Sequence, residues 1–143
     1  RLNLKNIKTL KNLGQIYRED LAEKDIVICD VPCSGIGIIP KKPDLRYKDM
    51  SDTGSLVKLQ YEILSTGARY LKKGGRLLYS TCTINKDENE RQIDKFISAN
   101  ENFRLVKQNC PVAGAKNIGE KVTFLPGFTE YDGFFVAVLE KVW

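Results

Sequence analysis

Two short apolar runs bracket a helical pattern, and this arrangement restricts the fold more than any other feature of the chain. DIVICD (25–30) is apolar and β-branched and ends in Asp, which reads as a buried strand. GRLLYST (75–81) reads as a second strand, entered through the glycine turn of KKGG. Between them, SLVKLQYEILSTGARYL (55–71) places Leu56, Leu59, Ile63, Leu64, Ala68 and Leu71 on one face at helical spacing. A strand–helix–strand unit of this length implies a crossover between parallel strands.

The rest of the chain extends the same scheme. NKDENERQIDKFISAN (85–100) reads as a helix capped by Asn85, with Asp87 and Glu88 in its first turn and Ile93, Phe96 and Ile97 facing inward. FRLVKQ (103–108), KVTFLPG (121–127) and DGFFVAVLEKVW (132–143) read as closing strands, and NIKTL (6–10) as a further strand upstream. The expectation is an α/β fold with a mostly parallel sheet, the second half of a doubly wound domain. At 143 residues the chain holds one core. Its only methionine is Met50, and the chain is read as a piece of something longer.

Composition removes several function classes. Histidine is absent, so neither a Ser-His-Asp or Cys-His centre nor a His-containing zinc site can be assembled. No pair among Cys29, Cys33, Cys82 and Cys110 has Cys-x-x-Cys spacing, so no metal is expected and free thiols in a reducing, cytoplasmic setting are. No apolar run approaches the roughly 20 residues that span a bilayer, and the N-terminus carries no signal-like core. The net charge of +5 is compatible with a polyanionic partner.

In open α/β sheets ligands bind outside the carboxyl ends of the strands. DVPCSG follows the first strand and STCT the second, so Asp30, Cys33 and Cys82 are expected to converge on one crevice. Asp30 can accept hydrogen bonds there, Pro32 sets the direction of the loop, and Gly35 and Gly37 permit close backbone approach. Cys82, just before the helix expected from Asn85, would feel the partial positive charge of that terminus. Cys29 points into the core, and Cys110 is structural or incidental. The basic loop PKKPDLRYKDM (40–50), with Lys41, Lys42 and Arg46, suits a loop that grips phosphates, although a solvated surface loop has the same composition.

DVPCSGIGIIPKKPDLRY, LKKGGRLLYSTCTINKDENE and the terminal DGFFVA together resemble the RNA cytosine-5 methyltransferases of the Sun/Nop family, in particular its bacterial branch acting on small-subunit ribosomal RNA. The resemblance runs along essentially the whole chain. It implies a Rossmann-like class I methyltransferase fold closed by antiparallel strands, with residues 1–143 forming a partial catalytic domain that lacks its N-terminal cofactor loop. It also implies S-adenosylmethionine as methyl donor and unstacked RNA as substrate. Cys82 is then the nucleophile that attacks cytosine C6, and Cys33 assists product release. Asp30 then steadies the cytosine edge or contacts the cofactor, and Asn12 stands where the family has an Asp that contacts the adenine of the cofactor. Pro32, Lys41, Lys42 and Arg46 face the substrate. The chain alone is expected to bind S-adenosylmethionine weakly or not at all.

Rival readings differ in chemistry. A DNA cytosine-5 methyltransferase would attack with Cys33. An amino-methyltransferase normally carries an aromatic where this chain has Cys33. A non-catalytic RNA-binding domain would have no need of Asp30, Cys33 and Cys82 together, and a thiol redox protein would need a closer cysteine spacing in sequence.

Overall fold

The structure, a computed structural model, describes residues 4–47, 49, 51–109, 119–127 and 131–143. Its elements are β1 (Lys24–Asp30), α1 (Thr53–Arg69), β2 (Leu71–Thr81), α2 (Glu90–Ala99), β3 (Phe103–Leu105), β4 (Lys121–Phe124) and β5 (Phe134–Lys141). The sheet runs β1-β2-β5-β3, and β4 also pairs with β5. The crossover through α1 makes β1 and β2 parallel, as the strand–helix–strand pattern requires. The sheet is then closed by antiparallel pairing of β5 with β2, β3 and β4.

Alternation along the strands sets the core. Leu77 and Tyr79 of β2 and Phe135, Ala137 and Leu139 of β5 point to one face with Cys29 of β1, and all are buried. On that face sit Leu64 and Ala68 of α1 and Ile93 and Phe96 of α2. Phe96 meets Phe103 edge-on at 5.3 Å between ring centroids, and Tyr79 meets Phe135 in the same manner at 6.3 Å. The inner face of α1 differs from the one expected. Leu56, Leu59 and Ile63 are only half-buried, whereas Gln60 and Thr66 are buried, Gln60 Nε2 and Thr66 Oγ1 each donating to a main-chain carbonyl of another segment.

Three expectations from the sequence are corrected. Residues 6–10 form no strand. Among the described residues they have no neighbouring strand to complete their hydrogen bonds, and Leu4, Ile7 and Leu10 are exposed. The helix expected from 85 starts at Glu90, because the Asn85 side chain accepts the Asp87 amide and closes a local turn instead of capping α2. β1 is covered on one face only, so Ile26 and Ile28 remain 68% and 67% exposed. Cys110 lies outside the described residues. Among the described residues, no helix is long and apolar enough to cross a membrane.

The seat of α1 on β1 depends on one missing side chain. A Cβ on Gly67 would stand 2.5 Å from Cys29 Sγ and 3.2 Å from Leu77 Cδ1. Gly67→Ala therefore sets an overpacking cost of about 1–3 kcal/mol against a helix-propensity gain of about 1 kcal/mol. The expected result in urea denaturation is a net loss of roughly 1 kcal/mol. Adding Cys29→Ala removes the opposing sulfur, so the double variant should be more stable than the sum of the two single effects. Strict additivity in that cycle would mean that the two positions do not touch.

Candidate active site at the ends of the parallel strands

β1 and β2 pair in register through Asp30 and Ser80, and both chains then leave the sheet at the same edge. Ser80 Oγ donates to Asp30 Oδ1 at 2.8 Å, and the Val31 amide donates to the Ser80 carbonyl at 3.2 Å. Beyond this point the first loop turns through Gly35, at a left-handed φ of 76°, into a short 3-10 turn. The two cysteines meet there, with Cys33 Sγ 3.0 Å from Cys82 Sγ and both side chains half-buried free thiols. Asp30, Cys33 and Cys82 thus occupy one edge, as the sequence implies. Cys29 is buried in the core, also as expected.

A third segment closes the arrangement. The Gly37 amide donates to the Cys82 carbonyl at 3.2 Å, and the Gly133 amide donates to the Gly37 carbonyl at 2.8 Å. A Cβ on Gly37 would overlap the Gly133 carbonyl, so the three main chains cross without room for a side chain. Next to this crossing Lys41 pairs with Asp132 at 2.7 Å. The three sequence blocks that carry the resemblance therefore meet in space.

The remaining candidates are placed less uniformly. Pro32 is exposed, and its carbonyl accepts Gln60 Nε2 at 2.9 Å. Lys42 and Arg46 are exposed on the basic loop, whose Pro43–Tyr47 stretch forms a 3-10 helix, and Tyr47 is 90% exposed at its end. Asn12 Nδ2 donates to the Ile16 carbonyl at 2.9 Å in the exposed N-terminal segment, and none of the described hydrogen bonds links it to Asp30 or to either cysteine. α2 begins at Glu90, eight residues beyond Cys82, so the terminus expected to follow that thiol directly is displaced along the chain.

The sequence reading missed Glu88 and Gln60. Glu88 reads as an exposed first-turn acid, yet its side chain is fully buried against both cysteine loops. Gln60 falls on the apolar stripe of α1, and its burial was the only available signal. Among the described residues no cluster of three or more His, Cys, Asp or Glu could hold a metal ion.

Comparison with known proteins gives this geometry a family. A model described as 16S rRNA methyltransferase RsmB/F matches residues 1–140. The chain belongs to the RsmB/F family. It is 39% identical over 121 residues to a probable ribosomal RNA small subunit methyltransferase B of Synechocystis, covering 82% of this chain and 27% of that protein. It is 36% identical over 136 residues to a probable ribosomal RNA small subunit methyltransferase B of Bacillus subtilis, covering 92% of this chain and 30% of the other. The chain thus spans under a third of these relatives. Among solved structures, NSun6 from Pyrococcus horikoshii with SFG superposes with a TM-score of 0.78 at 26% identity, over 97% of this chain and 35% of that one. The fold is α/β and Rossmann-like, with a mixed sheet.

In this RsmB/F chain the surroundings of Cys33 disfavour its thiolate. Burial, reinforced by the hydrogen bond with Cys82, pushes the Cys33 thiol up from the ordinary 9.0 to about 12. Cys33 therefore keeps its proton at neutral pH and can donate it toward the Cys82 sulfur. Burial alone pushes Cys29 to about 11, as befits a core residue. An ordinary thiol reaches its full alkylation rate once pH passes that ordinary value of 9.0. Cys33 alkylation by iodoacetamide, followed by peptide mass spectrometry, should instead keep climbing with pH beyond that point. A plateau near the ordinary value would show that the enclosed site does not hold its proton.

Proposed function

We propose that the chain is the C-terminal part of a catalytic domain that transfers a methyl group from S-adenosylmethionine to C5 of a cytosine in RNA, the substrate being small-subunit ribosomal RNA. The observation that carries this reading is the 3.0 Å approach of Cys33 and Cys82 at the carboxyl edge of a parallel strand pair. The family description and the names of the relatives support ribosomal RNA as substrate. The structural relative with SFG, an analogue of S-adenosylmethionine, supports that cofactor. Asp30 fits one contact to it, being an exposed carboxyl at the strand end held in place by Ser80. When bound, S-adenosylmethionine supplies an electrophilic methyl group.

The residues of this chain divide the remaining work. Cytosine is a poor nucleophile at C5, and addition of a thiolate to C6 makes it an enamine that can take up a methyl group. Cys82, in the STCT block where the family resemblance places the nucleophile, is the attacking sulfur, and the half-buried Cys33, its thiol pushed up by burial, is the partner that keeps its proton. After methylation a water molecule takes the C5 proton, the C–H electron pair re-forms the C5–C6 double bond, and the Cys82–C6 bond breaks with its electron pair returning to sulfur. Cys33 helps this last step by donating a hydrogen bond to the departing thiolate. Lys42 and Arg46 on the exposed basic loop contribute phosphate contacts. The base enters unstacked, since a duplex would shield C6 from a sulfur at this edge.

Two substitutions in the longer protein, incubated with 16S rRNA and the methyl donor, test the assignment. Cys82→Ala should lose methylation by roughly a thousandfold or more and give no covalent adduct on a denaturing gel. Cys33→Ala should accumulate a protein–RNA adduct. An adduct that survives Cys82→Ala and disappears with Cys33→Ala would reverse the two roles, in the manner of a DNA cytosine-5 methyltransferase.

A further inference from the structure

The cysteines are half-exposed, but their immediate neighbours in the chain are tied into a largely buried polar cluster whose centre is the fully buried Glu88 carboxyl group. Glu88 Oε2 accepts the Ser34 amide at 2.8 Å and Gln60 Nε2 at 2.9 Å, and Oε1 accepts Asn85 Nδ2 at 3.1 Å. Ser34 adjoins Cys33, and Asn85 lies in the loop that carries Cys82. Gln60 reaches from α1 to both Glu88 and the Pro32 carbonyl. Ser34 Oγ and Thr83 Oγ1 join the two loops directly at 2.8 Å. From below, Tyr79 Oη on β2 donates to the Glu88 carbonyl at 2.7 Å. We infer that Glu88 is a positioning residue, and that its buried carboxyl sets the distance between Cys33 and Cys82. The inference rests on the proposed two-cysteine reaction for its purpose, though not for its geometry.

A simpler role would be a helix cap, since Glu88 stands two residues before α2. The bonds point elsewhere. The acceptors of its carboxyl are used by Ser34, Gln60 and Asn85, from another loop, another helix and its own loop, and none of these donors is an N–H of α2. All three donors are neutral N–H groups, so the site calls for an acceptor-only side chain. Glutamine would fit the volume but would turn an NH2 group toward one of the donors. Glu88→Gln should therefore keep part of the three carboxyl bonds and Glu88→Ala none of them, the Ser34–Thr83 and Gln60–Pro32 contacts remaining. Burial makes the difference matter, because donors stripped of water and left unpaired are costly.

The spacing can be read without RNA or methyl donor. Diamide oxidises two adjacent thiols to a disulfide, its N=N bond taking up their two electrons and two protons. The rate at which the Cys33–Cys82 linked peptide appears therefore reports how often the sulfurs meet. At temperatures well below melting, Glu88→Ala should slow this bridging at least about tenfold, with Glu88→Gln intermediate. Ile93→Ala, a core truncation on α2 outside the polar cluster, provides the comparison. It should lower Tm and leave the bridging rate unchanged. If Glu88→Ala lowers Tm but bridges at the wild-type rate, Glu88 is only a structural residue and the inference fails. Equal slowing by Glu88→Gln and Glu88→Ala would refute the acceptor-only argument. Failure of methyl transfer in the cysteine experiment leaves this result standing, and the two readings can fall separately.

Discussion

The parallel pairing of β1 with β2 is the constraint from which the site follows. Because the strands run the same way and end in register at Asp30 and Ser80, their loops must leave on one side of the sheet. An antiparallel pair would have sent the two cysteines to opposite ends. α1 makes the parallel arrangement possible by carrying the chain back across the sheet. β2 also pairs antiparallel with β5 over residues 76–81, which fixes the strand along both edges where its carboxyl end enters the site. The rigidity of the site thus begins in the centre of the sheet.

Above that base, apolar and polar interactions take different tasks. The aromatic and aliphatic residues of β2, β5 and α2 supply the burial that holds the layers together. They are non-directional and cannot place a sulfur atom to within a few tenths of an ångström. Hydrogen bonds do that. Thr81 Oγ1 donates to Asn89 Oδ1 at 2.6 Å, and Asn89 Nδ2 returns a bond to the Thr83 carbonyl at 2.9 Å, so both neighbours of Cys82 are fixed by one amide. A densely bonded buried network of this kind is rigid, and the half-buried thiols at its surface inherit that rigidity.

The sequence was informative where periodicity or chain order carries the information. β1, α1 and β2, their parallel relation, and the convergence of Asp30, Cys33 and Cys82 all follow from apolar spacing and the crossover rule. The errors have a common physical origin. A strand is recognised by composition, but it exists only beside another strand, and residues 6–10 have none among the described residues. A cap is recognised by residue type, but Asn85 spends its side chain on a nearer turn and on Glu88. Glu88 itself was illegible because charged residues are almost never fully buried, and the amides that make its burial tolerable come from positions 34, 60 and 85. Asn12 was placed by resemblance alone, and its described hydrogen bond stays within its own segment.

β1 also has a consequence for the solution behaviour of the chain. Among the described residues it lies at the end of the sheet order with one edge unpaired, and Ile26 and Ile28 stand out from its uncovered face. Neither a proline nor a bulky loop interrupts the strand itself, and its charges are confined to its ends, at Lys24, Asp25 and Asp30. Such an edge is a template on which any extended segment can add by main-chain hydrogen bonding. Colloidal stability of these residues is therefore governed less by how tightly the core is packed than by whether another strand occupies that border. The end that enters the candidate site and the unpaired border are parts of the same seven-residue strand.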